Sequence, residues 1–233
     1  MGTPLEQEEP TTRDPAAPEW PALGDRSRLF EDYVRTVDRL IDAAKTADWQ
    51  TVTRLLDGDD RVSPSSWRPC GRGFTLLHHA AWHGAEPTMV EVLLARGAWC
   101  AVRDDGGETP ADVARRRGHT RLLPLLAPPV DAFVGNGGPD VDRDQVDLHL
   151  AQLIESRIRP HLEVVYRPPQ TAVLNEISGR QLWAPVPGMY GGFQIRQAEG
   201  HLYVQSWIRV VGGSGQTHVV TQHGYLLVDE GFV

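Results

Sequence analysis

The first apolar pattern along the chain is helical. From Ser27 onward, apolar side chains recur at spacings of three and four residues, which places them on one face of a helix: Leu29, Tyr33, Val37, Leu40, Ile41 and Ala44. A shorter run of the same kind contains Val52, Leu55 and Leu56 and ends at Gly58. A loop rich in Ser, Pro, Gly and Arg then covers residues 59–73. The pattern therefore predicts two helices and a long connection.

A different pattern governs the C-terminal part. Residues 143–160 predict one amphipathic helix, whose apolar face is formed by Val146, Leu150, Leu153, Ile154 and Ile158. Short β-rich runs follow, divided by glycine-containing turns that are typical of hairpins. The runs cover residues 162–166, 171–177, 181–184, 190–197, 201–211, 216–222 and 225–233. This order predicts an α+β domain with one long helix on an antiparallel sheet, and a curved, cone-like sheet is one form of it.

These patterns divide the chain into a leader of residues 1–26, a helical domain of residues 27–127, a linker of residues 128–142 and an α+β domain of residues 143–233. The leader is rich in Pro, Glu, Thr and Ala, so we expect it to be disordered. Its exceptions are Trp20 and Leu23, two apolar side chains able to dock on the domain that follows. Gly, Asn, Pro and Asp dominate the linker.

Residues 75–126 contain an internal repeat. One unit begins at Thr75 and the next begins at Thr109, 34 residues later, a period typical of helical solenoids. The units resemble ankyrin repeats. The matching residues of one unit are Thr75, Leu77, His78, Ala80, Ala81, Gly84, Val90, Leu93, Leu94, Gly97 and Ala98. Those of the next are Asp104, Gly107, Thr109, Pro110, Ala114, Gly118, His119, Leu122 and Leu125.

The resemblance extends from about residue 38 to residue 126, since the stretch 40–56 looks like a degenerate first unit. Two departures are the connection 59–73, which is longer than an ankyrin turn, and Leu76, which replaces the usual Pro. The resemblance implies a short ankyrin helical stack. The whole chain is then expected to be α + (α+β).

The resemblance also implies a protein partner, because ankyrin repeats usually bind proteins through their inner helices and turns. Trp and Arg are the residue types that most often anchor such interfaces. The candidates are His79, Trp82 and His83 on the inner helix, Trp99 and Arg103 on the next turn, and Trp67 and Arg68 in the long loop. Alternatively, one or two of these tryptophans pack between units. The arginine cluster at 115–121 either meets an acidic partner or forms a solvated outer face.

Composition narrows the choice of partner. The formal net charge of −8 argues against nucleic acid or an anionic membrane as partner. No apolar run approaches the roughly 18 residues that a membrane span needs. Cys70 and Cys100 match no zinc or redox motif, so we expect two reduced thiols in a cytoplasmic protein without a bound metal or cofactor.

A second hypothesis places the function in the α+β domain. Strand alternation predicts a pocket lined by Arg196, Tyr203, Trp207, Arg209 and His218. The order of elements is similar to the scytalone dehydratase and polyketide cyclase folds, which implies a small-molecule-binding protein or a cyclase- or isomerase-type enzyme. His218 would then be the base, beside Arg209 and Tyr203. The alternative is a solvated sheet face or an interface. The sequence contains no catalytic motif, leaves open whether the protein is an enzyme, and favours a binding or adaptor protein.

Overall fold

A computed structural model describes residues 17–22, 26–69, 71–129, 133, 141–159, 166–186, 188, 191–198, 200–208 and 214–232. Its α-helices are α1 (Glu31–Lys45), α2 (Trp49–Gly58), α3 (Leu76–His83), α4 (Pro87–Ala95), α5 (Pro110–Arg117), α6 (Leu123–Leu126) and α7 (Arg143–Ile158). Its strands are β1 (Gln181–Val186), β2 (Gly191–Ala198), β3 (His201–Ile208), β4 (Ser214–Thr221) and β5 (Gly224–Phe232).

The 34-residue repeat is visible in the ends of helices α3 and α5. Thr75 and Thr109 each form a capping box with the residue three positions later, which satisfies backbone N–H groups at both helix starts. Gly84 and Gly118 end the two helices in the left-handed conformation, with φ of 62° and 78°. Glycine adopts that conformation without steric cost. The two units therefore begin and end in the same way.

Helices α1 to α6 share one apolar core. Ala80, Ala81 and Ala114 are fully buried, and these small side chains allow α3 and α5 to approach each other closely. The predicted degenerate unit, α1 and α2, packs on the same core. Its buried side chains include Leu40, Ile41, Ala44, Val52 and Leu56. The result is the short helical stack that the pattern predicts.

The C-terminal domain is an antiparallel meander with the strand order β1-β2-β3-β4-β5. The five apolar residues predicted for helix α7 are all buried. They pack in one cluster with side chains from a single face of the sheet: Leu182, Phe193, Ile195, Leu202, Val204 and Val220. This is the predicted helix-plus-sheet arrangement.

The predicted strand at 171–177 is wrong. Residues Thr171–Glu176 form a 3₁₀ helix. Thr171, Val173, Leu174 and Ile177 are buried, and the adjacent buried pair Val173 and Leu174 does not fit the period of two of a strand with one buried face. The predicted run 162–166 lies outside the described residues, apart from Tyr166.

The two domains meet in the apolar cluster that α7 forms with the sheet. Trp99, Ala101 and Val102, from the turn after α4, are buried in the same cluster as α7 and the sheet. Trp20, from the predicted leader, joins them. Residues 17–22 run beside β1, where the Trp20 N–H donates to the carbonyl oxygen of Trp183 at 2.7 Å. An ankyrin-like turn and an N-terminal segment thus complete the core of the C-terminal domain.

Candidate functional site

Trp82 lies on the inner helix α3 with its side chain half-buried. The guanidinium groups of Arg117 and Arg116 lie 4.3 and 5.5 Å from the centre of its ring. Arg117 Nε also donates to the carbonyl oxygen of Trp82 at 3.4 Å, and the Phe74 ring lies 6.1 Å away. Two cations and an aromatic ring therefore hold the indole while part of it faces solvent.

His83 follows Trp82 and is exposed at the end of α3. Its Nε2 lies 3.0 Å from the carbonyl oxygen of Lys45, and its ring meets the edge of the Trp49 ring at 6.4 Å. These contacts extend the surface to the corner between α1 and α2. We call Trp49, Trp82, His83, Arg116 and Arg117 the inner-helix patch.

The patch has a positive edge. Arg116 makes a bidentate pair with the carboxylate of Glu108, with Nε and one terminal nitrogen at 2.8 and 2.9 Å. Arg117 has no acidic partner within 4 Å among the residues that the structure describes. Among the described residues, the exposed Arg117 guanidinium contacts the ring and the carbonyl oxygen of Trp82 and forms no ion pair, so its charge is available to a group on another molecule.

The two histidines before Trp82 are buried, and burial lowers the pKa of each to about 4. His78 Nδ1 lies 2.8 Å from Thr75 Oγ1, and its Nε2 lies 3.0 Å from the carbonyl oxygen of Glu108. His78 therefore links the unit that begins at Thr75 to the next one. His79, a predicted binding residue, lies edge-on to Phe74 beneath the patch. Both rings are neutral at physiological pH.

Trp99, another predicted binding residue, is only 6 % exposed. Its ring is stacked on that of Trp20, and its backbone N–H donates to Ser65 Oγ at 3.2 Å. The structure therefore places Trp99 in the interior, where it joins three parts of the chain.

Trp67 and Arg68, predicted in the long loop, are also held within the molecule. Trp67 Nε1 donates to the carbonyl oxygen of Pro21, and the guanidinium of Arg167 covers its ring at 4.8 Å. Arg68 pairs with Asp42 at 2.9 Å and lies 3.7 Å from Asp38. The loop thus binds the N-terminal segment and helix α1.

The turn at 99–103 is covered by the C-terminal domain. The carboxylate of Glu176 accepts the N–H groups of Cys100 and Ala101, each at 2.7 Å. The Arg103 N–H donates to Gln170 Oε1 at 2.6 Å, and the Arg103 carbonyl oxygen accepts from Gln170 Nε2 at 3.0 Å. The Cys100 thiol is buried against Glu176, and burial raises its pKa to about 12.

The predicted binding residues are therefore not brought together on one surface. Trp82 and His83 share an accessible patch with His79 beneath it, whereas Trp67, Arg68, Trp99 and the Arg103 backbone make contacts inside the molecule. The sequence analysis missed Trp49, which begins helix α2 at the same corner. It also missed Gln170 and Glu176, whose role depends on contacts more than 60 residues away along the chain.

The residues predicted to line a pocket lie on both faces of the sheet. Arg196 pairs with Tyr203 across β2 and β3, with its guanidinium 5.0 Å from the tyrosine ring. His218 pairs with Val204, one position along from Tyr203, so it lies on the α7 side of the sheet. Trp207 lies on the Tyr203 side, 5.6 Å from the Trp183 ring. Arg209 is outside the described residues. The His218 ring is buried, and burial lowers its pKa.

The described residues contain no group of three or more His, Cys, Asp or Glu side chains placed to hold a metal ion. No helix among them is long and apolar enough to cross a membrane.

Comparison with known proteins supports the repeat assignment. Residues 59–114 match the family model for ankyrin repeats (many copies). The helical stack thus contains ankyrin repeats, which indicate protein–protein interaction.

Similar proteins include the putative E3 ubiquitin-protein ligase XBAT35 of Arabidopsis thaliana, 33 % identical over 119 residues (51 % of this chain and 23 % of that protein). The probable E3 ubiquitin-protein ligase XBOS34 of Oryza sativa subsp. japonica is 35 % identical over 79 residues (32 % and 15 %). The E3 ubiquitin-protein ligase Ufd4 of Drosophila melanogaster is 32 % identical over 99 residues (41 % and 3 %). The matched part of the chain thus spans less than a quarter of each relative.

Proposed function

We propose that this chain is a binding or adaptor protein whose inner-helix patch recognises a partner protein. The observation that carries the proposal is the environment of Trp82, which is half-buried between two arginines on the inner helix of an ankyrin unit. Trp and Arg anchor most of the binding energy at protein interfaces. Ankyrin repeats indicate a protein as the partner.

In this proposal the inner helices bind the partner, and the turns have a different structural role. The turn at 99–103 donates its N–H groups to Glu176 and Gln170, so a partner would have to displace the C-terminal domain to use it. The inner-helix patch has no such cover among the described residues. We infer that the turns fix the C-terminal domain and that the patch binds the partner.

Preorganisation supports the patch as an anchor. Binding has a free-energy cost for each rotamer-rich side chain that it immobilises. Trp82 is already packed against Phe74 and Arg117, and Arg116 is already fixed by Glu108. A partner that covers these residues therefore gains contact area at a low conformational-entropy cost.

The relatives do not extend the proposal to catalysis. Their names describe ubiquitin ligases, and this chain shares less than a quarter of their length. We infer that the shared part serves recognition in this chain, and we propose no ligase activity for it. A cytoplasmic location remains part of the proposal, based on two thiols without a redox or zinc motif.

Site-specific photo-crosslinking tests the proposal. A benzoylphenylalanine at His83, an exposed position of the patch, is expected to capture a discrete partner protein from cells. The same probe at Glu91, which is exposed on helix α4, serves as the matched control and is expected to capture less of that partner. Equal capture at both positions would place the partner elsewhere.

A further inference from the structure

Strand β5 (Gly224–Phe232) exposes four consecutive apolar side chains. Tyr225, Leu226, Leu227 and Val228 are 40, 68, 41 and 48 % exposed. The strand lies at the edge of the sheet, and among the described residues β4 is the strand that pairs with it. One hydrogen-bonding edge of β5 is thus open beside an apolar run.

The first part of this edge, residues 225–227, lacks the usual protection against another strand. Natural edge strands carry Lys, Pro or inward-pointing charges where they face solvent. Here the apolar run continues on both faces, since Leu226 pairs with Val219 and Leu227 pairs with His218. An exposed apolar run of this kind marks an interaction surface. The protecting features begin only at the β-bulge near Val228 and at the carboxylates of Asp229 and Glu230.

The charge pattern along β5 favours a second copy of this chain as the occupant. In an antiparallel pair of β5 strands centred on Leu226, Tyr225 lies opposite the partner's Leu227, and Val228 lies opposite the partner's Gly224. Asp229 then lies beside the partner's His223, which is exposed at the β4–β5 turn. No carboxylate faces another, and the central pairs precede the bulge. A parallel pair would instead place Asp229 beside Asp229, which is unfavourable.

The size of the contact sets its strength. Pairing the two strands and covering four apolar side chains on each copy buries on the order of 1,000 Å² in total, the lower end of specific interfaces. Such an area fits a weak, reversible dimer with a dissociation constant in the micromolar range.

We propose that two copies of this chain associate through β5, which joins their sheets into one antiparallel sheet of ten strands. The dimer carries two inner-helix patches. A partner with two recognition segments would therefore bind it with higher avidity than it binds one copy. The association itself does not depend on the proposed function of the patch.

Sedimentation velocity tests the association at protein concentrations from about 5 to about 200 µM. The wild type is expected to shift from monomer to dimer over this range. Leu226→Lys places two like charges opposite each other on the axis and is expected to raise the dissociation constant at least about tenfold. Leu148→Lys, at a 47 % exposed position on helix α7, is the matched control and should behave as the wild type. A wild-type monomer throughout, or a dimer that Leu226→Lys leaves unchanged, would overturn the proposal.

Disulfide trapping tests the register. In the proposed pair Leu226 of one copy lies opposite Leu226 of the other, within the distance that a disulfide spans. Oxidised Leu226→Cys is therefore expected to form a covalent dimer, whereas Thr88→Cys, exposed on helix α4, is not. Equal trapping of the two variants would contradict the β5 pairing.

Discussion

The indole rings of Trp20 and Trp99 are stacked, with centroids 5.8 Å apart and planes within 7° of each other. Trp20 belongs to the segment before the helical stack, and Trp99 belongs to the turn after its helix α4. Both are buried in the core of the C-terminal domain. The stacked pair therefore couples the stability of all three parts.

We expect Trp20→Ala and Trp99→Ala each to lower the free energy of unfolding by about 3–5 kcal/mol, because each removes a large buried side chain. The double variant should lose less than the sum, by about 0.5–1.5 kcal/mol, which is the coupling of a stacked aromatic pair. Urea unfolding measures all three values. Strict additivity would show that the two rings do not stabilise each other.

Glu176 is expected to be the main clamp between the turn and the C-terminal domain. Glu176→Gln keeps the shape but leaves one oxygen acceptor for two N–H donors, so the free energy of unfolding should fall by about 1–3 kcal/mol. The amides of Cys100 and Ala101 should also exchange faster with deuterium. Glu155→Gln, an exposed position on α7, is the control and should change neither quantity. Unchanged exchange in Glu176→Gln would refute the clamp.

The end of helix α3 tests the packing between repeat units. Gly84 has a φ of +62°, and a Cβ at this position would lie 2.5 Å from His119 Nδ1. Gly97 has a φ of +83° with no atom within 4 Å of such a Cβ. We expect Gly97→Ala to cost about 1 kcal/mol for its backbone conformation and Gly84→Ala to cost more, because it also displaces the His119 ring. Equal losses in thermal unfolding would mean that His119 does not pack on this cap.

Acid should weaken the helical stack through His79. Its folded-state pKa is lowered to about 4 from an ordinary value of 6.5, so between these values the unfolded chain binds a proton that the folded chain does not. The contribution of the neutral His79 ring to stability is therefore fully present above about pH 6.5 and is lost as the pH falls through 4. Between pH 7.5 and pH 5 this loss is about 2 kcal/mol. His79→Gln should lose less over the same interval, and parallel curves for the two proteins would contradict the assignment.

The local sequence was sufficient to predict the helices of the repeat units and helix α7, although not the 3₁₀ helix at Thr171–Glu176. The capping residues Thr75 and Thr109, the 34-residue spacing and the left-handed Gly84 and Gly118 act within a few residues of themselves. Their pattern therefore predicts where the helices begin and end without knowledge of the fold. The same holds for α7, whose five apolar positions are all buried.

Whether an individual tryptophan is buried or accessible was not predictable from the local sequence. Trp82 and Trp99 belong to the same residue type and lie 17 positions apart in one repeat unit. Trp82 is half-buried at the surface, whereas Trp99 is covered by Trp20, a contact across 79 positions of the chain. The same limit applies to the sheet. Alternation within β3 gave its buried face, but the register of β4 decided that His218 lies on the side opposite to Tyr203.

The inner-helix patch is tested most directly by quantitative affinity capture from cells with two double variants. Trp82→Ala with His83→Ala removes two of the five side chains of the patch. Trp207→Ala with His201→Ala removes a half-buried Trp and His from the C-terminal sheet as a matched control. If the patch anchors the partner, the first variant should lose at least about 2 kcal/mol of binding, roughly a thirtyfold fall in affinity, and the control should keep wild-type capture. Full capture by the first variant, or an equal loss in both, would contradict recognition through the patch.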